Sequence, residues 1–119
     1  MRKTFHFIII FTLLASQFSM VFAGETGKIA GRVTDKTTKE ALIGASIVII
    51  SRWESGVEKK ISEQRGATTY IVGNYFILNV SPGLYSVRAS YIGYKQEVIT
   101  QVRVDVDKST TLDFMLATE

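Results

Sequence analysis

Apolar and polar residues alternate along most of the chain, and this period of two predicts β-strands rather than helices. The first strand is predicted over residues 29–34, with Ile29 and Val33 on the same face. Residues 35–40 are polar and rich in turn formers, so they predict a connection. Residues 45–50 are rich in β-branched side chains, and they predict a central strand that is buried on both faces for part of its length.

The middle of the chain changes from polar to apolar character. Residues 51–66 are polar and charged, which indicates a long hairpin or a mobile loop with Trp53 near its base. Residues 67–72 and 75–80 return to β-forming residues. We expect these two strands to be joined by a hairpin across Gly73-Asn74.

Turn signals divide the second half of the chain. Residues 81–84 (SPGL) predict a type II turn, because proline fixes φ at its second position and glycine accepts a positive φ at its third. A strand follows over 84–91, Gly93 interrupts it, and residues 98–106 and 110–116 supply the last two strands. The side chains expected in the core include Ile47, Ile49, Tyr85, Val87, Leu112 and Phe114. About seven short strands predict an all-β fold, an antiparallel Greek-key β-sandwich.

The amino-terminal segment has the layout of a cleavable secretory signal peptide. It begins with the cations Arg2 and Lys3, continues through a mostly apolar stretch, and ends in the small residue Ala23. A transmembrane anchor is the alternative, but the apolar core over residues 7–14 is short for a span of about 20 residues. We therefore predict cleavage after Ala23 and export to the periplasm or beyond it.

Cleavage would leave a polar leader, residues 24–27, and one small domain, residues 28–119. Of the 14 basic side chains 12 would remain against 11 acidic ones, with no run of lysine or arginine to bind nucleic acid. The signal also takes away the only histidine, His6, and the chain has no cysteine. This inventory excludes a Ser-His-Asp triad, a cysteine nucleophile and an imidazole or thiolate zinc site. We predict no enzyme activity, no cofactor and no metal.

A few residues could still contact a ligand. Asp105 and Asp107 project from one strand face and could hold a weakly bound calcium ion, although a solvated strand end is the favoured interpretation. Trp53, Tyr70 and Tyr94 lie in or beside connections, where exposed rings could stack on a sugar or contact a protein partner. Packing in the core and at its rim is the favoured interpretation of these rings, and Trp53 is the best exception.

Five blocks of the domain, in order and at compatible spacing, resemble carboxypeptidase-regulatory-like domains. The blocks are residues 31–35 (GRVTD), 41–49 (ALIGASIVI), 73–80 (GNYFILNV), 82–87 (PGLYSV) and 90–94 (SYIGY). The resemblance covers residues 28 to 116 and implies a transthyretin-like or prealbumin-like β-sandwich.

One position departs from the pattern of that family. The family often has an aspartate three residues before the glycine of its Gly-x-aromatic strand, whereas this chain has Tyr70 three residues before Gly73. Residues 70–72 are apolar where the family has a polar turn. A ligating role for that aspartate is therefore absent, and we expect the turn to be rebuilt.

The signal peptide and the resemblance together imply an accessory function. Such domains occur at the amino terminus of TonB-dependent outer-membrane receptors, where this one would lie in the periplasm and contact the receptor plug, the barrel or a periplasmic component. The first alternative is a free-standing secreted or periplasmic binding module, for carbohydrate, that uses Trp53. The second alternative is a structural spacer.

Overall fold

The computed structural model of the chain describes residues 25–119, and the predicted signal peptide lies outside them. The described residues form eight strand segments, and no helix among them is long and apolar enough to cross a membrane. The strands are β1 (Gly27–Asp35), β2 (Ser46–Glu54), β3 (Val57–Thr68), β4 (Asn74–Val80), β5 (Gly83–Ser90), β6 (Glu97–Val104), β7 (Ser109–Thr111) and β8 (Phe114–Leu116).

The strands form two four-stranded sheets. The first sheet has the order β4-β1-β7, with β8 also paired to β1, and the second has the order β3-β2-β5-β6. Segments β7 and β8 pair with residues 28–30 and 33–35 of β1, so they are two parts of one interrupted edge strand. Seven strands in two layers confirm the predicted sandwich, and β2 is a central strand as expected. Only one face of β2 is fully buried, however, because Val48 and Ile50 on the other face are half-buried.

The antiparallel pairing has one exception, because β7 and β8 run parallel to β1. The reason lies in the preceding connection. The backbone N–H of Lys28 donates to the carbonyl of Lys108 at 3.1 Å, and that of Asp107 to Thr26 at 3.0 Å. The chain therefore enters the first sheet where β1 begins, and it runs from there in the same direction as β1.

Residues 51–66 belong to the β2–β3 hairpin. Its two-residue turn is Ser55-Gly56, with φ of 51° and 76°, and the paired positive values are typical of a type I′ turn. The predicted position of Trp53 is wrong, because Trp53 pairs with Glu58 next to the tip and not at the base.

The predicted hairpin across Gly73-Asn74 is wrong. Strand β3 ends at Thr68 in the second sheet, a 3₁₀ turn follows over Ile71–Gly73, and β4 pairs with β1 in the first sheet. Gly73 has φ of 76°, and a Cβ there would lie 2.7 Å from the carbonyl oxygen of Val33. The glycine thus allows the chain to cross close to β1 and does not close a hairpin.

The predicted type II turn at residues 81–84 is also wrong. Gly83 has φ of 159°, which is nearly extended, whereas a type II turn needs about +80° at that position. Gly83 instead begins β5, so the connection carries the chain from the first sheet to the second.

The core lies between the two sheets. Five of the six side chains expected there are buried, and Leu112 is only partly buried because it lies at the break between β7 and β8. At this break a Cβ on Gly31 would lie 1.9 Å from the carbonyl oxygen of Leu112, so β1 needs glycine here. The buried apolar side chains are Ile29, Val33, Leu42, Ala45, Ile47, Ile49, Tyr75, Ile77, Val80, Tyr85, Val87, Ala89, Val102, Val104, Phe114 and Leu116.

Strand directions place the connections at two opposite ends of the sandwich. One end, which we call the loop end, contains the β1–β2, β3–β4 and β5–β6 connections together with residues 117–119. The other, which we call the hairpin end, contains the turn at 55–56 and the connections at 81–82 and 105–108.

Candidate functional site

The loop end exposes several large apolar side chains. Ile92 is 96% exposed and Ile71 is 76% exposed, although apolar side chains of this size are more often buried. The members of this loop-end surface come from three connections and are Ile43, Tyr70, Ile71, Val72 and Ile92. Apolar side chains are also exposed elsewhere in residues 25–119, as at Val57 and Leu78, but Ile92 and Ile71 have the highest exposed fractions among them. Exposed apolar side chains that lie together are typical of an interaction site.

Buried hydrogen bonds hold two of these connections together. The hydroxyl of Thr69 donates to the carbonyl of Leu42 at 2.5 Å and accepts from the N–H of Ala45 at 2.9 Å. The N–H of Gly44 also donates to the carbonyl of Thr69 at 3.0 Å. Thr69 is buried, so this link is shielded from water. The backbone that presents Ile43 is therefore fixed to the backbone that leads into Tyr70.

A second set of hydrogen bonds holds the β5–β6 connection. The carboxylate of Asp35 accepts from the N–H groups of Thr37 and Thr38, at 2.8 and 2.9 Å, and from the hydroxyl of Tyr94 at 2.7 Å. The Tyr94 ring packs against Tyr91, with 5.5 Å between ring centroids. Tyr94 thus fastens the connection that carries Ile92 to the end of β1.

The same hydrogen bonds shift the acidity of both partners. The N–H of Thr38, the hydroxyl of Tyr94 and the N–H of Thr37 lower the pKa of Asp35 below its usual value of 3.8. The hydrogen bond to the Asp35 carboxylate raises the pKa of Tyr94. Asp35 is therefore expected to remain ionised in the folded protein under mildly acidic conditions.

This shift predicts a pH dependence of stability. Because the pKa of Asp35 is lower in the folded state than in the unfolded chain, its contribution is fully present above pH 3.8 and is lost as the pH falls through the folded-state pKa. We expect the free energy of unfolding to fall less steeply below pH 3.8 in Asp35→Asn than in the wild type. Urea titrations at a series of pH values measure this difference, and parallel curves for the two proteins would contradict the assignment.

The three aromatic residues singled out in the sequence do not form one site. Tyr70 lies in the loop-end surface, where its ring packs against Phe76 at 6.1 Å between centroids. Tyr94 lies at the same end but is half-buried and hydrogen-bonded. Trp53 lies at the hairpin end, half-buried, and its indole N–H donates to the hydroxyl of Ser86 at 2.9 Å.

The isoleucines of the loop-end surface were not predicted from the sequence. Ile43 and Ile92 each precede a glycine of positive φ, Gly44 at 89° and Gly93 at 86°. Such glycines turn the backbone sharply, and the preceding side chain is left on the outside of the turn. An apolar residue followed by glycine inside a connection was the signal that could have revealed them.

At the candidate calcium site, one of the two carboxylates already has a hydrogen-bond partner. Strand β6 ends at Val104, so the prediction that Asp105 and Asp107 project from one strand face is wrong. Asp105 accepts a hydrogen bond from the Arg103 guanidinium at 3.2 Å, and Asp107 lies in a turn with φ of 56°. Within residues 25–119 no cluster of three or more histidine, cysteine, aspartate or glutamate side chains could hold a metal ion. The loop-end surface offers apolar contact through Ile43, Ile71 and Ile92.

The fold and the motifs agree with one family. The family model of the carboxypeptidase regulatory-like domain matches residues 28–117. The chain belongs to this family. No curated protein matches this carboxypeptidase regulatory-like domain in sequence.

Several solved structures share the fold of the domain. A "putative carbohydrate binding protein" from Bacteroides uniformis is 19% identical, with a TM-score of 0.54 over 78% of this chain and 42% of that chain. The minor pilin GBS52 of Streptococcus agalactiae is 18% identical, with a TM-score of 0.52 over 81% of this chain and 46% of that chain. Hydroxyquinol 1,2-dioxygenase from Pseudomonas putida is 10% identical, with a TM-score of 0.57 over 83% of this chain and 58% of that chain. These similarities show the fold alone, and the domain spans between two fifths and three fifths of each of these chains.

The position at which this domain departs from the family pattern is part of the loop-end surface. After Tyr70 the chain forms the 3₁₀ turn, in which Val72 adopts φ of 59°. A positive φ is costly for a β-branched residue, and the Arg32 side chain supports the turn by donating to the Val72 carbonyl at 2.9 Å. This turn exposes the apolar side chains of Tyr70, Ile71 and Val72.

Proposed function

We propose that this carboxypeptidase regulatory-like domain is a non-catalytic docking module that binds a protein partner through its loop-end surface. The observation that carries the proposal is the near-complete exposure of Ile92, together with the exposure of Ile71 and Ile43, on connections held by hydrogen bonds. The buried hydroxyl of Thr69 links the connections of Ile43 and Ile71, and the half-buried Tyr94 holds the connection of Ile92. Burying one such side chain stabilises a complex by roughly 1.5–3 kcal/mol. Because the backbone is already ordered, little conformational entropy would be lost on binding.

The context we propose is the amino-terminal extension of a TonB-dependent outer-membrane receptor, in the periplasm. The resemblance of a signal peptide followed by this domain type to the start of such receptors supports this context. The geometry of the last residues is compatible with it. The N–H of Glu119 donates to the carbonyl of Gly93 at 3.0 Å, so a segment joined to Glu119 would start beside Ile92. In this context the first candidate partner of the loop-end surface is the plug or barrel of the same receptor, and the second is a separate periplasmic component.

Sequencing the gene beyond codon 119 tests the receptor context. We expect the reading frame to continue into a plug and an outer-membrane barrel. A stop codon at this point with no receptor gene downstream would contradict the receptor context. It would leave the docking surface itself in place, in a free-standing exported module.

Carbohydrate binding is a second candidate function. It is favoured by the shared fold with the Bacteroides uniformis protein and by the half-exposed ring of Trp53. The indole N–H is already donated to Ser86, so a sugar could use only the ring face. Titration with glycans would support this candidate if Trp53→Ala removed binding and Leu84→Ala, at the neighbouring position on β5, did not. Equal glycan binding by both variants, or no glycan binding by the wild type, would rule out carbohydrate binding at Trp53.

A structural spacer is the remaining alternative. It predicts no specific partner for either end of the sandwich. The exposed isoleucines of the loop-end surface argue against it, because a spacer gains nothing from apolar groups in water.

A further inference from the structure

A small cavity opens on one flank of the sandwich, where β3 of the second sheet faces the end of β4 in the first. Its volume is about 230 Å³, and a cavity of about 150 Å³ is already large enough for benzene. The half-buried Ile61 forms one wall, and two arginines, Arg52 and Arg65, also line the cavity. The floor is formed by buried side chains of the core, which are Ile49, Val80 and Tyr85.

A wide bulge in β3 shapes this cavity. Between two successive pairs of the β2–β3 ladder, residues 61–64 of β3 lie opposite the single residue Ile50 of β2. Ile61 begins the bulge and Arg65 follows it, so the two residues that β3 contributes to the cavity flank the extra residues. Bulges are frequent next to functional sites, where they redirect side chains.

Three neighbours hold the guanidinium of Arg52 at the cavity. Its Cζ lies 5.8 Å from the centroid of the Tyr85 ring, and its Nη2 donates to the carbonyl of Pro82 at 3.2 Å. It also packs against Gly83, where a Cβ would lie 3.3 Å from Nη2. The guanidinium is therefore positioned before any ligand arrives.

The charges of the two arginines are only partly compensated. Arg65 donates to the carbonyl of Asn79, which carries no formal charge, and it takes no part in the ion pairs between described side chains. Glu54 lies 3.8 Å from Nε of Arg52, but Lys59 binds that carboxylate more closely, at 3.0 Å. Each guanidinium has five N–H donors, so both arginines retain donors for an anion.

We propose that this cavity binds a small organic carboxylate that carries an apolar ring, of about the size of benzoate. In this arrangement the carboxylate accepts hydrogen bonds from Arg52 and Arg65, and the ring lies against Ile61 and the apolar floor. A carboxylate matches the fork of guanidinium donors, and apolar surroundings strengthen the attraction between the charges. The site lies away from the loop-end surface, so this binding is independent of docking there.

Titration of the purified protein with benzoate, followed by NMR of the backbone amides, tests this site. We expect saturable shifts at Ile61, Ser81 and Tyr85 with a Kd on the order of 1 mM, and no shifts at Ile43 and Ile92. Benzamide keeps the ring without the charge, and acetate keeps the charge without the ring. Both should bind at least about tenfold more weakly than benzoate. Benzoate shifts without saturation, or an analogue that binds as tightly as benzoate, would overturn the proposal.

Arginine substitutions show whether the two charges act at this cavity. Arg52→Gln and Arg65→Gln should each weaken benzoate binding at least about fivefold, because each removes a charged hydrogen-bond donor. The matched control is Arg88→Gln, because Arg88 is half-buried like Arg52 but lies on the outer face of β5, between the core residues Val87 and Ala89. The control should bind benzoate like the wild type. Equal weakening by the control, or cavity variants that bind like the wild type, would refute the proposed site.

Discussion

Replacing Phe114 with alanine is expected to lower the free energy of unfolding by about 3–5 kcal/mol. Phe114 is completely buried, and its ring packs against Tyr75 with 6.4 Å between centroids. It also joins β8 to β1, because it pairs with Val33. A single small domain is stable by only about 5–15 kcal/mol, so this loss is a large part of the total.

Urea or guanidinium unfolding followed by circular dichroism measures the loss. The matched control is Met115→Ala, at the next residue, because Met115 is 51% exposed on the outer face. We expect the control to stay within about 0.5 kcal/mol of the wild type. Equal destabilisation by the two substitutions would show that β8 does not pack with Phe114 inward.

Replacing Thr69 with valine is expected to cost about 1–3 kcal/mol, because the change keeps the shape of the side chain and removes its hydroxyl. The carbonyl of Leu42 and the N–H of Ala45 would both lose a buried partner. The effect should be largest at the loop end, so the amide of Ala45 should exchange its hydrogen faster in the variant.

The neighbouring residue provides the control for this substitution. Thr68 is exposed, and Thr68→Val should leave both stability and the exchange of the Ala45 amide nearly unchanged. If Thr69→Val behaved in the same way, the proposal that a buried hydroxyl links the two connections would have to be abandoned.

Local periodicity was sufficient to predict which residues face the core. Ile47, Ile49, Tyr85, Val87 and Phe114 are buried because side chains alternate across a strand and only one face of each sheet meets the other sheet. Leu112 is the exception, since the chain leaves one strand segment and enters the next at that position.

Strand partners were less predictable than strand faces. Residues 67–80 resemble a local hairpin, yet β4 pairs with β1, which lies more than forty residues earlier. The choice depends on Gly73, whose positive φ lets the backbone pass within contact of Val33. Pairing over such a distance is decided by the packing of the whole sandwich and leaves no local pattern.

The candidate site was predicted only in part, for a related reason. Aromatic rings in connections drew attention to Trp53, Tyr70 and Tyr94, but exposure depends on the partners that folding provides. Tyr94 reaches Asp35 and Trp53 reaches Ser86, so their polar groups are already engaged. Ile43 and Ile92 have no polar group that could form such a hydrogen bond, and their side chains remain exposed to water.

Site-specific photocrosslinking in the native host tests most directly whether the loop end is the docking surface. A photoreactive residue in place of Ile92 or Ile43 should crosslink to a receptor plug, a barrel or a periplasmic protein. The same residue in place of Val57 at the hairpin end should give little product, although Val57 is 58% exposed and Ile43 is 59% exposed. Crosslinks of equal yield from both ends, or crosslinks from position 57 alone, would contradict the assignment of the loop end as the docking surface.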